Sequence, residues 1–200
     1  MRYISHLDVL RFWERAIRRA GLPLSYSQGF TPHPRIAFAS PLPLGFTSES
    51  ELMDVTLDER VDADEAGRRL AEQASGDLEL VAIEEVPLSS PAPQASLAWA
   101  DYRADLPGVD VEAARQSVQQ FMALDEFQWT EEKKDRSRAY NLRATVASLR
   151  IEELPGHCTR LHMRLQADQE MTARPEQLIA AVFPGTEAAL ITRTGVVLNE

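Results

Sequence analysis

The sequence predicts an α+β fold, because segments with helical and extended apolar periodicity alternate along the whole chain. Proline- and serine-rich stretches separate these segments, and the clearest break is SSPAPQAS at 89–96. The order of elements before this break is similar to the order after it. We therefore predict two ferredoxin-like βαββαβ halves packed together, at 1–88 and 97–200, with 89–96 as a linker.

The first half begins with a clear amphipathic helix. Ser5 is a good N-cap, and Asp8 three residues later completes a capping pattern near the positive end of the helix. Apolar residues then recur with the 3.6-residue spacing of a buried stripe. Gly21 and Pro23 predict the end of the helix, because glycine suits the C′ position and proline cannot continue it.

The rest of the first half is predicted to be mainly extended. Five prolines between Pro23 and Pro43 exclude a long helix there. The predicted elements are extended segments at 24–27 and 35–38, turns at Gln28-Gly29 and Gly45, a strand at 51–57, a helix at 62–74 and a strand at 78–86. The first strand of this half is truncated or missing, so either the true start lies upstream or the sheet has lost a strand. A lost strand would leave an exposed edge that can pair with another chain.

The second half repeats this plan more completely. The predicted strands are 97–104, 127–130, 160–166 and 189–198, and the predicted helices are 111–124 and 174–183. A charged run at 131–138 is expected to form a hairpin or a mobile loop. The segment 140–151 is expected to begin as a helical turn and to continue as a strand.

The charge is distributed unevenly along this acidic chain. The net charge is −10, yet residues 1–50 contain six arginines against Asp8, Glu14 and Glu49, a net +3. The remaining 150 residues contain 15 basic and 28 acidic side chains. An acidic body with one basic patch favours a local contact with an anion over a long nucleic-acid track. The alternative is that the arginines only solvate one helix face.

Several classes of protein are excluded by what the sequence lacks. No apolar run approaches the roughly 20 residues of a membrane helix, and the charged N-terminus is not a signal peptide, so a cytoplasmic protein is expected. The single cysteine, Cys158, allows neither an internal disulfide nor a cysteine-bound metal or iron–sulfur cluster. Walker, GxGxxG, HExxH and GxSxG motifs are absent. Cys158 beside His157 is interpreted as structural.

The candidate functional residues lie in a basic, proline-punctuated block from Ser5 to Glu51. Prolines around its loop reduce the entropy that binding would cost, and arginine suits phosphate. The candidate binding residues are Ser5, His6, Asp8, Arg11, Arg15, Arg18, Arg19, Tyr26, Ser27, Gly29, His33 and Arg35. His6 and His33 are also weak candidates for acid–base catalysis, because histidine titrates near neutral pH; otherwise they are a helix-start residue and a turn residue.

The block resembles the radical-SAM-linked domain, a family of unknown function appended to or encoded beside radical SAM proteins. The motifs SHLD, ERAIRRAGLP, YSQGF, TPHPRI, PLPLG and SESE occur here in the family's order. YNLRATVASLRI and TARPEQLIAAVF resemble its second half more loosely. The resemblance implies a bacterial cytoplasmic protein that works with a radical SAM partner near genes for RNA-processing and ribosomal proteins. Any iron–sulfur cluster and S-adenosylmethionine would then belong to the partner, and this chain would carry no cofactor or metal.

Three hypotheses about function follow. The first is a non-catalytic recognition or adaptor module whose partner is a radical SAM protein, an RNA or both, with neither DNA nor a membrane involved. The second is a metal-independent ferredoxin-like endoribonuclease with His6 or His33 as general base. The third is a structural assembly domain that pairs through its exposed strand edge.

Overall fold

The computed structural model describes residues 2–74, 76, 78–133, 136–156 and 158–199, which divide between two compact units. The N-terminal unit comprises Met1–Phe46 and Ser50–Ser96, and the C-terminal unit comprises Thr47–Glu49 and Leu97–Glu200. This division differs from the predicted halves at two places: residues 47–49 belong to the C-terminal unit, and 89–96 belongs to the N-terminal unit. No helix of the described residues is long and apolar enough to cross a bilayer.

The described elements alternate between helices and strands, as expected for an α+β protein. The helices are α1 (His6–Arg19), α2 (Ala63–Ala71), α3 (Pro93–Ser96), α4 (Val111–Met122) and α5 (Pro175–Val182), with a 3₁₀ turn at Arg143–Thr145. The strands are β1 (Ile36–Phe38), β2 (Thr47–Ser48), β3 (Met53–Val55), β4 (Leu97–Pro107), β5 (Gln128–Lys133), β6 (Arg136–Asn141), β7 (Val146–Leu154), β8 (Cys158–Gln166) and β9 (Leu190–Leu198).

Side-chain caps fix the starts of three helices. The hydroxyl of Ser5 accepts a hydrogen bond from the Asp8 amide at the start of α1, as the sequence predicts. The carboxylates of Asp62 and Asp110 accept equivalent bonds at α2 and α4. In α5 the cap is replaced by Pro175 in the first turn, where a missing N–H costs nothing.

The N-terminal unit is built around the buried face of α1. Trp13, Ala16 and Ile17 pack into one core with the β1 residue Phe38 and with Leu70 of α2. In this unit the described strands are β1 and β3, which pair antiparallel. Isolated β-bridges continue the antiparallel pairing outside these two strands, for example between Leu24 and Leu57.

The predicted strand at 78–86 is wrong. This segment forms no strand; instead Leu78 and Leu80 pack against the core, and Ile83 lies directly over Gly67 of α2, where an added Cβ would sit 2.8 Å from its Cγ2. Leu78, Leu80 and Ile83 therefore cover the core and α2 from an irregular segment, whereas Val81 and Val86 are exposed. The described residues of this unit form a two-stranded sheet, so the predicted βαββαβ arrangement is not formed in the first half.

The C-terminal unit contains a five-stranded sheet of order β2-β9-β4-β8-β7. Each of the four long strands runs antiparallel to its neighbours among them, and the two-residue β2 runs parallel to β9 at the edge. The predicted strands at 97–104, 160–166 and 189–198 are confirmed, as are helices at 111–124 and 174–183 within one or two residues. The charged run forms the predicted hairpin of β5 and β6, and its residues 134 and 135 lie outside the described residues.

Alternation along β4 and β8 separates the core of this unit from its charged face. Ala104 and Leu106 of β4 and Leu161 and Leu165 of β8 are completely buried. The intervening residues are half-buried or exposed, and most of them are charged: Asp101, Arg103 and Asp105 in β4, and Arg160 and Arg164 in β8. Because successive side chains point to opposite faces of a sheet, the charged residues of neighbouring strands stand side by side.

Candidate functional site

The start of α1 brings three of the predicted site residues together. Besides capping the helix, the Ser5 hydroxyl donates a hydrogen bond to the Asp8 carboxylate across 2.7 Å. Asp8 also pairs with Arg11 at 3.3 Å. The hydrogen bond from Ser5 is the main cause that lowers the pKa of Asp8; desolvation opposes it, and the charge of Arg11 adds a smaller lowering effect. These residues therefore complete the helix start, and Arg11 is already paired with an acid.

The other helix arginines are exposed farther along α1. Arg15, Arg18 and Arg19 line an open depression of about 420 Å³. Arg19 is held by the side-chain and backbone oxygens of Gln73 at 3.2 and 3.3 Å. Arg15 and Arg18 make no ion pair with any residue that the structure describes. Two guanidinium groups on adjacent turns thus remain available for an external anion.

Tyr26 links this helix to the loop that follows it. Its hydroxyl donates a hydrogen bond to the Glu14 carboxylate across 3.1 Å. Burial, followed by this bond to Glu14, raises the pKa of Tyr26, and the nearby charge of Arg18 opposes the rise. Arg18 therefore lies within electrostatic range of the hydroxyl, and the loop is seated beside the exposed arginines.

The loop is a tight hairpin closed by residues that the sequence singled out. Ser27 donates its amide to the His33 carbonyl at 2.8 Å, and the Ser27 hydroxyl accepts from the His33 amide at 2.9 Å. The Arg35 amide continues the ladder to Ser25. Gly29 lies at the tip with φ +136°, a conformation that favours glycine. His33 and Arg35 are both exposed.

The two candidate histidines do not form a joint site. His6 is half-buried, and its ring lies edge-on against Phe38 with the centroids 5.0 Å apart. His33 is on the exposed hairpin, and no hydrogen bond or ring contact among the described residues joins it to His6.

We use the name basic hairpin surface for the hairpin together with the two helix arginines that make no ion pair with the described residues. This surface comprises Arg15, Arg18, Tyr26, Ser27, Gly29, His33 and Arg35.

The C-terminal unit contains an array of charge pairs that sequence analysis missed. Cross-strand pairs join Asp101 with Arg164 and Asp105 with Arg160, each through two hydrogen bonds of 2.6–3.1 Å. His162 pairs with Glu152 at 2.6 Å, and this bond lowers the pKa of the glutamate. The signal was the alternation of charges in both strands, but register cannot be read from one strand alone.

The cations and anions of this array are paired with one another, so few of its charged groups are available to a ligand. Arg103 belongs to the same array, because its guanidinium donates two hydrogen bonds to the carboxylate of Glu49, the residue after β2. The hydrogen bonds to their aspartates raise the pKa of both Arg160 and Arg164, so these cations are committed to their partners. The array therefore holds the sheet together and leaves few donors for an external anion.

A separate cleft of about 320 Å³ lies between β6 and α5. Arg174 pairs with Glu131 at 3.2 Å inside it, and the Tyr140 hydroxyl donates to the Gln177 amide oxygen at 2.5 Å. Burial, followed by the charge of Glu131, raises the pKa of Tyr140. Four of the polar residues that line the cleft are thus paired with one another: Glu131 with Arg174, and Tyr140 with Gln177.

The remaining sequence-level site is the Cys158–His157 pair. Cys158 is half-buried at the start of β8, and His157 lies outside the described residues. Within the described part of the chain, no cluster of three histidine, cysteine or acidic residues is placed to hold a metal ion.

An α+β fold with a basic hairpin surface is the class of protein that these observations define. The chain belongs to a bacterial family described as an uncharacterized protein conserved in bacteria, DUF2344, whose model matches residues 1–175. None of the curated proteins matches the sequence.

Solved structures show the same fold at low sequence identity. A chain of the crystal structure of a Cbf5–Nop10–Gar1 complex is similar with a TM-score of 0.55 and 13% identity, over 98% of this chain and 46% of that one. For the archaeal box H/ACA sRNP Nop10–Cbf5 complex the TM-score is 0.50, with 14% identity over 98% and 45%. An H/ACA RNP bound to a substrate RNA containing 2′-deoxyuridine gives 0.51, with 13% identity over 97% and 44%. The chain spans less than half the length of the chains it matches.

Proposed function

We propose that this protein is a recognition or adaptor module that binds RNA through the basic hairpin surface and serves a radical SAM partner. The observation that carries the proposal is the pair Arg15 and Arg18, exposed on adjacent turns of α1 without an ion-pair partner among the described residues. Structural neighbours that are ribonucleoprotein components support an RNA-related role. The resemblance of the block to the radical-SAM-linked domain supports the protein partner.

The topology of the C-terminal unit supports a ferredoxin-like arrangement in the second half of the chain. Its order β9-β4-β8-β7 is fully antiparallel, with α4 after β4 and α5 after β8, as in a ferredoxin-like half. RNA-binding sheets of this general shape use exposed aromatics to stack bases. Here the outward positions of β4 contain one half-buried aromatic residue, Trp99, and otherwise charged residues that are paired, as in Asp101–Arg164. This predominance of paired charges favours the N-terminal unit as the RNA contact.

Salt dependence tests the RNA contact directly. The affinity for a fluorescein-labelled single-stranded RNA is measured by fluorescence anisotropy at salt concentrations from about 25 to about 200 mM. Over this range the release of counterions makes the affinity fall steeply with salt. We expect binding at low salt, and we expect Arg15→Ala with Arg18→Ala to flatten the logarithmic salt slope by about 1.4, the value for two single-strand phosphate contacts. Arg60→Ala with Arg115→Ala removes the same charge from exposed ion pairs elsewhere and should leave the slope unchanged.

Two results would overturn this part of the proposal. One is the absence of binding at the lowest salt. The other is a slope that the Arg15/Arg18 variant and the Arg60/Arg115 variant alter equally, since binding would then follow net charge rather than the hairpin surface.

The partner is tested by affinity purification from native bacterial lysate with and without ribonuclease. We expect an iron–sulfur protein of the radical SAM class, identified by mass spectrometry and by its visible absorption, to be retained after ribonuclease treatment. Its absence from both samples would remove the partner from the proposal and leave the RNA contact to stand on the salt experiment.

A further inference from the structure

The tip of the hairpin carries an aromatic ring that is fully exposed to solvent. Phe30 is 109% exposed relative to an extended reference, the highest value among the exposed large hydrophobic side chains. Burial of a phenylalanine is worth about 1.5–3 kcal/mol, so a fully solvated ring forgoes that stabilisation. A ring in this position is therefore available to a ligand.

The hairpin holds that ring on a stiff support. Bonds between Ser27 and His33 close it, and Tyr26 bridges to Pro34 at its base. Pro32 and Pro34 restrict the backbone on one side of the tip. A pre-ordered loop loses less entropy when it binds than a flexible one does.

The surroundings of the ring indicate what it contacts. The flanking tip residues are Gln28, Gly29 and Thr31, and the base of the hairpin presents the exposed His33 and Arg35. Protein-binding hot spots place an aromatic side chain at the centre of a desolvated patch depleted of charge. An isolated ring among polar and cationic groups instead has the composition of a surface that stacks bases and follows a phosphate backbone.

The hairpin also lies beside the available cations of α1. Tyr26 binds Glu14, which lies one turn before Arg18 on the same face of α1, so the hairpin base and this arginine lie on one side of the unit. Phe30 lies four positions after Tyr26 in the chain, at most about 14 Å when fully extended. One short strand of RNA can therefore reach both the ring and the guanidinium groups.

We propose that Phe30 stacks on an unpaired base of single-stranded RNA whose phosphates are bound by Arg15 and Arg18. Unpaired bases are specified because a base within a duplex has both faces occupied by its neighbours, whereas a splayed base offers a face to an aromatic ring. This inference rests on the proposed RNA contact and adds to it a residue and a substrate class.

The experiment compares Phe30→Ala, Phe30→Leu and Phe30→Trp with the unchanged protein. The probes are a fluorescein-labelled single-stranded RNA decamer and a blunt RNA duplex of the same length. Phe30→Ala should weaken single-strand binding about 5- to 150-fold, the range for loss of one stacked base, with an unchanged salt slope. Phe30→Leu should bind the single strand as weakly as Phe30→Ala does, because leucine has apolar bulk but no ring that can stack on a base. Phe30→Trp should bind as well as the unchanged protein. The unchanged protein should bind the duplex more weakly than the single strand.

Each other outcome overturns the inference in a distinguishable way. Full single-strand affinity in Phe30→Ala, together with a flattened slope in Arg15→Ala/Arg18→Ala, removes the stacking and keeps the RNA contact. No effect of either variant removes the RNA contact as well. Equal weakening of duplex and single strand by Phe30→Ala removes the preference for unpaired bases. Loss of the protein partner with unchanged RNA affinity shows that Phe30 fills a pocket of that partner instead.

Discussion

The Tyr26 hydroxyl donates a hydrogen bond to the Glu14 carboxylate across 3.1 Å and thereby joins the hairpin to α1. Both partners are half-buried, so water can replace the bond only in part. Because the bond lies between the loop and the helix arginines, it affects both the stability of the unit and the arrangement of its basic surface.

Tyr26→Phe is therefore expected to lower the free energy of unfolding by about 1 kcal/mol, the usual net value of such a bond. Urea denaturation measures the loss. Glu14→Gln is the matched variant, because its amide oxygen can still accept the bond and should retain most of the stability. A Tyr26→Phe protein as stable as the unchanged one would show that the bond contributes nothing.

The pair of Asp105 and Arg160 should be energetically coupled. Their two hydrogen bonds of 2.6 and 3.1 Å lie between side chains that are 25% and 23% exposed. A double-mutant cycle with Asp105→Asn and Arg160→Gln is expected to give a coupling of about 1 kcal/mol, since the pair is bidentate and partly desolvated.

The exposed helix pair of Glu112 and Arg115 is the control for that cycle, because its side chains are 70% and 50% exposed. Its coupling should be only about 0.3 kcal/mol. Equal couplings in the two pairs would contradict the importance of the sheet geometry.

Glu152 should contribute to stability in a pH-dependent way. Its bond to His162 lowers its pKa below the ordinary 4.5, so the folded protein holds the carboxylate charged when the unfolded chain has begun to take up a proton. The contribution is present above about pH 4.5 and is lost as the pH falls through the lower folded value. Glu152→Gln should flatten the fall of unfolding free energy with acid, measured by urea denaturation from pH 6 to about 3.

Glu153→Gln is the control for this acid titration, because Glu153 is the next residue of the same strand, is exposed, and makes no ion pair with any residue that the structure describes. Flattening by both variants alike would indicate a general effect of net charge instead of the bond to His162.

The protein should leave RNA intact when incubated with it in the presence of a chelator. A general base and a general acid must both reach the reacting groups, and the structure keeps His6 against Phe38 while His33 stands on the hairpin. Gel analysis of a labelled oligonucleotide checks this. Cleavage that is lost in His33→Ala or His6→Ala would support the endoribonuclease hypothesis instead.

The elements with strong local signals could be predicted from the sequence. Ser5 and Gly21 bound α1 as expected, and alternation in β4 and β8 separates buried from charged residues. The segment 78–86 shows where this reasoning fails. Its alternation is real, but Ile83 packs on Gly67 because a helix surface offered the available apolar contact, and alternation does not reveal which surface a segment covers.

The sequence predicts which residues belong to the candidate site better than it predicts what each residue does there. Ser5, Asp8 and Arg11 were chosen for binding, yet they satisfy one another at the helix start. The sequence does not predict Phe30 as a site residue, because a single aromatic residue in a loop has no periodic signal and its exposure depends on the hairpin that Ser27 and His33 close. Pairing between distant residues, such as Thr47 with Thr192, is likewise invisible to local patterns.

The position of β2 limits how this protein can be dissected. Thr47 and Ser48 complete the edge of the C-terminal sheet, whereas the residues before 47 and after 49 belong to the N-terminal unit. A fragment that starts at Leu97 would therefore lack the edge strand and would expose the backbone of β9 to association with other chains. Neither unit is a continuous stretch of sequence, so no single cut separates them. Genetic fusion of residues 47–49 ahead of Leu97, or their supply as a separate peptide, would be needed to study the C-terminal sheet in isolation.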